Sequence, residues 1–425
     1  MTTPSSDVRA SGALDPAAAS TSYATEIAAL LWPRPWSRPR STRSGAAQAA
    51  AHRDMYVFPS RRRPRLLVPA DLPGAAVMLQ RLGNDRTTFV GPMRRALRST
   101  VGSPLFGMAR WPRLRVETAD PRADSMERHL AEVLGTDVRI GVVLGPRRVN
   151  QKPVLQVFGT DGTLLAFAKV GHNPLTAGLV RHEAASLAVV EGLRPRSFRA
   201  PELLHAGQWA GLDLLVMSPL ATDPGRPVPA ASRTAAMIEL ARLGELRRGP
   251  LRDSSFLGRL AADVDRLADQ PYGTHLPAAV SAIDLAHGDL ELTFGSWHGD
   301  WGPWNMGMQG DVVQLWDWER HEADVPLGLD GLHFLVQQAR AHHPDEGAQE
   351  DMILRGVATA LEPFGVPAHL HDASLQLYLL AIAVRYVDAL RHGARPDFER
   401  RTSWVVSLLM RLREQSPSTL PEGRS

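Results

Sequence analysis

The chain has 425 residues, 44% of them hydrophobic and 22% charged, a composition that excludes a disordered or fibrous protein and leaves room for two or three domains. It contains no cysteine, which removes disulfide frameworks, thiolate metal sites and a thiol nucleophile together. The formal net charge of +3 conceals an asymmetry: residues 1–100 carry 15 arginines against 6 acidic residues, and the rest carries 33 basic against 39 acidic groups.

The N-terminus shows no basic patch followed by an apolar stretch. The longest apolar candidate, around Leu375 to Leu390, is interrupted by Arg385 and Asp388. The expectation is a cytoplasmic protein without a membrane span. Residues 1–54, rich in Ala, Ser, Thr, Pro and Arg without a sustained apolar period, are expected to form a mostly mobile basic arm. Trp32 and Trp36 among Arg34, Arg38, Arg40 and Arg43 offer a local docking element within it. Arg61-Arg62-Arg63 with Arg65 extends the basic run, and no nucleic-acid motif accompanies it. A solvated arm is therefore favoured over a nucleic-acid, anionic-lipid or acidic partner.

Residues 55–130 read as a folded N-terminal extension of unknown role. It has a strand over Arg65 to Pro69, a helix capped by Asp71 and entered through Pro73, and a helix around Met93 to Thr100. Short strands dominate residues 131–220. Val138 to Leu144 is one, and Val154 to Phe158 and Leu164 to Val170 form a hairpin turning at Thr160-Asp161-Gly162. A helix from Thr176 to Glu191, closed by Gly192, follows, and then strands Leu203 to Gln208 and Leu212 to Met217 meet at Gly211. Residues 221–415 read as helices at 231–248, 253–269, 276–286, 326–342, 347–363, 368–392 and 397–413, interrupted by a single hairpin over Met306 to Trp316, with a tail at 416–425. A small sheet region followed by a larger helical region predicts an α+β, two-lobed protein.

The strongest chemical signal is His298-Gly299-Asp300-Trp301-Gly302-Pro303-Trp304-Asn305, with Asp317 twelve residues on. Asn305 precedes one arm of the hairpin turning at Gln309-Gly310-Asp311, and Asp317 ends the other. The open ends of a hairpin lie side by side, so the two side chains are expected to converge. Such hard oxygen ligands suit Mg²⁺ brought by a phosphorylated substrate, and Asp300 is placed to take a proton from an attacking hydroxyl. Only four asparagines occur in the chain, so one falling five residues after a given Asp is about a 1% accident. The second triplet, His287-Gly288-Asp289, has Phe294 at that offset and no matching acid. Singly, Asp300 and Asn305 would read as loop-capping groups.

Lys169, one of two lysines, shares strand parity with Leu165 and Phe167, and Glu183 falls at helical spacing with Leu179, Leu187 and Val190. A buried ammonium and a buried carboxylate offset each other's burial cost, and a lysine held in that way can neutralise a nucleotide phosphate. Read alone, the first is a solvated edge residue and the second a helix-dipole partner. Asp330 reads as a structural brace or cap for the helix that follows it.

In this order, the strand Lys, the helix Glu, HGDxxxxN and the Asp closing the next hairpin resemble the aminoglycoside phosphotransferase and choline kinase group of the protein-kinase-like fold, over roughly residues 135–400. The resemblance implies a small β-sheet N-lobe and a larger, mainly helical C-lobe. It implies Asp300 as catalytic base, His298 as the brace of its loop, and Asn305 and Asp317 as Mg²⁺ ligands. Lys169 would lie on the α/β phosphates, held by Glu183. The stretch from Met217 through Pro219 to Leu220 would be the hinge whose backbone reads adenine. ATP and Mg²⁺ are the implied cofactors and a small-molecule hydroxyl the acceptor. The loop Gly145 to Gln151 departs from the group's protein-kinase relatives in lacking G-x-G-x-x-G; Arg147, Arg148 or Asn150 could meet phosphate there. Asp289, Glu291, Glu319, Glu322 and Asp324 crowd the motif and suggest a cationic acceptor, an aminoglycoside or amino alcohol. The competing expectation is an inactive kinase-like nucleotide-binding module acting through residues 1–130. The five filled polar positions, Lys169, Glu183, Asp300, Asn305 and Asp317, lean against it.

Overall fold

The structure, a computed structural model, describes residues 16–42, 49–73, 78, 112–145, 151–391, 393 and 396–415. The chain is α+β, and it divides into two compact units, with the described residues up to Val170 in one and those from Gly171 onward in the other.

The N-terminal unit holds α1 (Pro16–Leu31), β1 (Arg40–Thr42), β2 (Ala51–Phe58), β3 (Leu66–Pro69), β4 (Arg113–Thr118), α2 (Met126–Leu134), β5 (Val138–Val143), β6 (Val154–Gly159) and β7 (Leu164–Gly171). Its strands form an antiparallel sheet in the order β1-β4-β2-β3-β5-β6-β7. The β6–β7 turn has the expected chemistry: Gly162 takes φ 87° and the Thr163 amide donates to Asp161 Oδ1 at 2.9 Å. One face of the sheet packs Tyr56, Phe58, Leu66, Val68, Leu72, Met78 and Phe158 together.

Two sequence expectations change here. Pro16–Leu31 is helical where an arm was expected, and Tyr23, Ile27 and Leu31 recur four residues apart on its buried side. Alanine-rich composition hid that stripe. Trp32 and Trp36 are buried, the latter donating its indole N–H to the Asp124 carbonyl at 3.0 Å. Residues 55–130, expected to form a separate extension, contribute β3, β4 and part of β2 to the same sheet as β5, through the pairing of Leu66 with Val143. Asp71 accepts from Arg139 at 2.7 Å. The helix expected after Pro73, the one at 93–100 and the Arg147, Arg148 and Asn150 loop lie outside the described residues.

The C-terminal unit begins with α3 (Pro174–Leu193), then β8 (Phe198–Arg199), β9 (Leu203–Trp209) and β10 (Leu212–Met217). A capping box between Asn173 and Thr176, with Pro174 in the first turn, starts α3. The helix runs past Gly192 and ends at Arg194 in the left-handed region, φ 50°. Then come α4 (Ala230–Ala241), β11 (Arg247–Pro250), α5 (Ser255–Leu267), α6 (Leu276–His287), β12 (Glu291–Trp297), β13 (Met306–Gln309), β14 (Val312–Leu315), β15 (Glu322–Pro326), α7 (Leu329–His342), α8 (Glu346–Leu361), α9 (His371–Leu390) and α10 (Pro396–Gln415).

The helix expected over 231–248 stops at Ala241, and after Gly244 at φ 90° the chain enters β11. Strands β11, β12 and β15 form an antiparallel sheet that the sequence reading missed, and β8 pairs in parallel with β14 of the expected hairpin. The helices share a core that includes Leu260, Ile283, Val336, Leu380 and Leu409. Among the described residues one helical stretch, Ala368–Leu390, is long and apolar enough to cross a membrane, and 72% of its apolar window is buried inside the protein. It is the central helix of that core.

Candidate active site

The loop from His298 to Asn305 connects β12 to the β13–β14 hairpin. The hairpin register pairs Met306 with Leu315, and the Trp316 amide donates to the Asn305 carbonyl at 3.1 Å, which sets Asn305 and Asp317 at the open end. The Trp316 indole closes that end on the Trp304 carbonyl at 3.1 Å.

Buried groups hold the loop from both sides. Asp330, in the first turn of α7, accepts the amides of His298 at 2.6 Å and Gly299 at 3.0 Å. Burial pushes its carboxyl up to about 7, against the pull of those two amides and of Arg385. Gly299 takes φ 77°, and a Cβ there would lie 2.3 Å from the Arg320 carbonyl oxygen, so only glycine fits. Arg385, on α9, donates to the Gly299 carbonyl.

His298 is fully buried, its ring 5.0 Å from that of Trp318 and 5.9 Å from that of Trp301. Its Nε2 meets the Trp316 carbonyl at 3.2 Å and its Nδ1 accepts the Asp300 amide at 3.3 Å. That pattern assigns the proton to Nε2. Burial lowers the imidazole to about 4, so the ring is neutral at pH 7.

The Asp300 carboxylate is gripped at both oxygens. Asn305 Nδ2 donates to Oδ2 at 2.8 Å and to the Asp300 carbonyl at 2.9 Å. His333 Nε2 lies 3.5 Å from Oδ1. Burial pushes this carboxyl up, but the opposing effects, led by the hydrogen bond from His333, outweigh it and hold Asp300 below its ordinary value. With its nitrogen turned on Asp300, Asn305 has its amide oxygen left as the atom able to meet a cation.

Asp317 follows β14 in the left-handed region, φ 72°. One carboxylate oxygen each from Glu183, Asp317 and Glu319 lie within 4.8 Å of one another. Glu183, fully buried on α3, also accepts the Trp318 amide at 3.2 Å. Hard carboxylate and amide oxygens are the donor set that Mg²⁺ takes, so these residues fit the implied ion. Glu319 and Arg320 were not singled out for this role by sequence. The Arg320 guanidinium, its pKa lowered by burial, lies in the combined field of Asp300, Asp317, Glu322 and Asp388.

Lys169 is buried on β7 in the N-terminal unit. Leu165 and Phe167, which share its face by parity, are only half-buried, and the opposite face of Ala166, Ala168 and Val170 is the fully buried one. The expected burial pattern on that strand is thus reversed. Met217 ends β10 opposite Leu203, and the Ser218 amide donates to the Glu202 carbonyl at 2.9 Å. Pro219, without an N–H, can offer a ligand only its carbonyl.

The acids expected to draw a cationic acceptor are each partnered by arginine. Arg252 meets Asp289 at 2.9 Å, Arg248 meets Glu291 at 3.9 Å, Arg320 meets Glu319 at 3.9 Å, Arg259 meets Glu322 at 3.7 Å and Arg247 meets Asp324 at 2.9 Å. These pairings weaken the charge argument for a cationic acceptor, and the widest, Arg248 with Glu291, is an exposed contact. The other HGD triplet, His287-Gly288-Asp289, is equally plain: His287 ends α6 and Asp289 is a surface residue.

No protein-family model matches the chain, and no curated protein matches it. Its structure resembles solved structures from the aminoglycoside phosphotransferase and choline kinase group. Aminoglycoside phosphotransferase APH(4)-Ia is 14% identical, with 68% of this chain and 98% of that chain covered at a TM-score of 0.47. A ternary complex of a thermostable mutant of the same protein with ADP and hygromycin B covers 70% of this chain and 100% of that chain, at 14% identity and a TM-score of 0.46. Choline kinase LicA from Streptococcus pneumoniae is 15% identical, with 67% of this chain and 99% of that chain covered at a TM-score of 0.44.

Proposed function

We propose that this chain is an ATP- and Mg²⁺-dependent phosphotransferase acting on a hydroxyl group of a small molecule. The observation that carries the reading is the Asp300 carboxylate, held at both oxygens by Asn305 and His333 on a loop that Asp330 fixes by two amides. Held below its ordinary value, the carboxylate is ionised at pH 7 and, still 32% exposed, is accessible to an incoming hydroxyl whose proton it can accept.

In this reading Asp300 takes the acceptor proton as the hydroxyl oxygen bonds to the γ-phosphorus and the bond to ADP breaks. Asn305 and Asp317 hold Mg²⁺, with Glu183 and Glu319 beside Asp317. The metal, when bound, neutralises the phosphate oxygens. Lys169 meets the α/β phosphates, and the backbone from Met217 to Leu220, Pro219 included, receives adenine. His298, neutral and wedged between tryptophans, keeps the Asp300 backbone in place.

Two measurements test this. ATP with Mg²⁺ should raise the thermal unfolding midpoint of the wild type, and Asp317→Ala should abolish the Mg²⁺-dependent part of the rise. Asp300→Asn should lower turnover by roughly 10²-fold or more while nucleotide still binds. An Asp300→Asn protein as fast as wild type overturns the proposal. A wild type that no nucleotide stabilises under any condition favours the inactive-module reading.

A further inference from the structure

The proposed mechanism gives the buried imidazole that faces Asp300 no function beyond that contact. His333 sits on α7, three residues after Asp330, so the two share a face of the helix's first turns. Asp330 grips the backbone of His298 and Gly299, and His333 faces the side chain of the next residue, Asp300. Behind the imidazole, the Tyr378 hydroxyl on α9 lies 3.2 Å from His333 Nδ1, and the two rings meet edge to face at 5.9 Å. Both side chains are almost fully buried.

We propose that His333, held by Tyr378, is the positioning residue that fixes the rotamer of Asp300 for proton abstraction. This inference rests on the phosphotransferase reading. The phenol O–H donates to Nδ1, which leaves the imidazole proton on Nε2, directed at Asp300 Oδ1. The Gln337 amide nitrogen, one turn further along α7, is placed 3.4 Å from the same Nε2, and this tautomer requires that amide to be turned over so that its oxygen faces the ring. Burial raises the Tyr378 phenol well above its ordinary value, so it stays a donor. Asp300 is thereby caught between Nε2–H at Oδ1 and the Asn305 amide at Oδ2. Two of its lone pairs are occupied and the others remain to accept a proton. A carboxylate held at one oxygen alone can swing about its last torsion, and small misplacements of a base cost rate rather than binding.

The test uses ATP hydrolysis by the full chain, with water in the place of the acceptor, read as phosphate release. His333→Ala should lower kcat roughly tenfold while KM for Mg²⁺-ATP stays within twofold. His333→Gln, which presents an N–H from a similar depth, should recover most of kcat. Tyr378→Phe should give an intermediate loss with the fold intact, and it carries the test if His333→Ala fails to fold. Unchanged kcat in His333→Ala or Tyr378→Phe overturns the inference, as does an equal loss in His333→Gln and His333→Ala, which marks a merely structural site. Asp300→Asn separates the two levels. If it is inactive while His333→Ala is unimpaired, only the positioning role fails. If Asp300→Asn hydrolyses ATP normally, or no nucleotide stabilises the wild type, the phosphotransferase reading fails and this role with it.

Discussion

At the scale of single residues, the proposed catalytic loop depends on positions that tolerate no exchange. Gly299 is one. Its left-handed backbone costs a side chain about 1–2 kcal/mol, and the Arg320 carbonyl occupies the space besides. Gly299→Ala should lower both turnover and the unfolding midpoint, since Asp300 is displaced with its neighbour. Titration gives a second expectation. Burial lowers His298 and His321 from 6.5 to about 4, so the unfolded chain binds protons that the folded one refuses between those values. The resulting stability is complete above pH 6.5 and is lost as pH falls towards 4, on the order of 3 kcal/mol for each ring. Asp330 acts oppositely: raised from 3.8 to about 7, it favours the folded state below 3.8 and loses that advantage as pH rises to 7. Two histidines outweigh one carboxyl, so the urea midpoint should fall between pH 7 and pH 5. His321→Gln should flatten that fall and Asp330→Asn should steepen it. The meeting of Asn305 with Asp300 and the place of Asp317 at the open end of the hairpin were legible because the spacing is local, set by one loop and one hairpin. His333 and Arg385 were not. They reach the loop from 33 and 86 residues away in sequence, across helix packing that no local spacing encodes.

Among the elements, the hairpins and capped helices read well, and the sheet buried in the helical region did not. The β9–β10 hairpin turns at Gly211, and β10 begins and ends at the expected residues, because alternation and glycine agree there. Strand β12 escaped notice because its neighbours β11 and β15 are short and distant in sequence, and none of the three alternates over a long window. Helix α3 was placed but closed two residues early, since Gly192 looks like a cap and the chain instead turns at Arg194. Its other end matters more to the site, because α3 carries Glu183 to the Trp318 amide. Asn173→Ala removes one side of the capping box and should cost about 1 kcal/mol in chemical denaturation. The Mg²⁺-dependent nucleotide shift should weaken with it as Glu183 loses its anchor.

For the whole molecule, α1 and strands β1 to β3 of the arginine-rich front quarter are integral to the N-terminal unit rather than a solvated arm, while Arg61, Arg62 and Arg63 between β2 and β3 are exposed, as expected of a solvated run. Arg115 pairs with Asp54 at 2.5 Å, Arg53 with Glu127 at 2.5 Å and Arg40 with Glu117 at 2.5 Å. Burial pushes the Asp54 carboxyl up, but the Arg115 guanidinium beside it holds it below the usual carboxylate range. A chain lacking residues 1–42 loses β1 together with the buried Ile27, Leu31, Trp32 and Trp36. It should unfold at a clearly lower temperature than the full chain, where a solvated arm would leave the midpoint unchanged. Composition and charge gave the class of this region wrongly because they count arginines without seeing their partners. The same holds around the catalytic loop, whose five acids read as a negative patch until each is matched to its arginine.

The grip of Asp330 on two successive amides has a consequence for motion. Those N–H groups end on a buried carboxylate in the first turn of a core helix, so they can open to solvent only when that helix end opens. Their hydrogen exchange should therefore be as slow as that of the helix itself and far slower than a surface loop's. The reacting segment then behaves as part of the rigid frame, and any opening and closing that accompanies turnover has to take place in other segments of the chain.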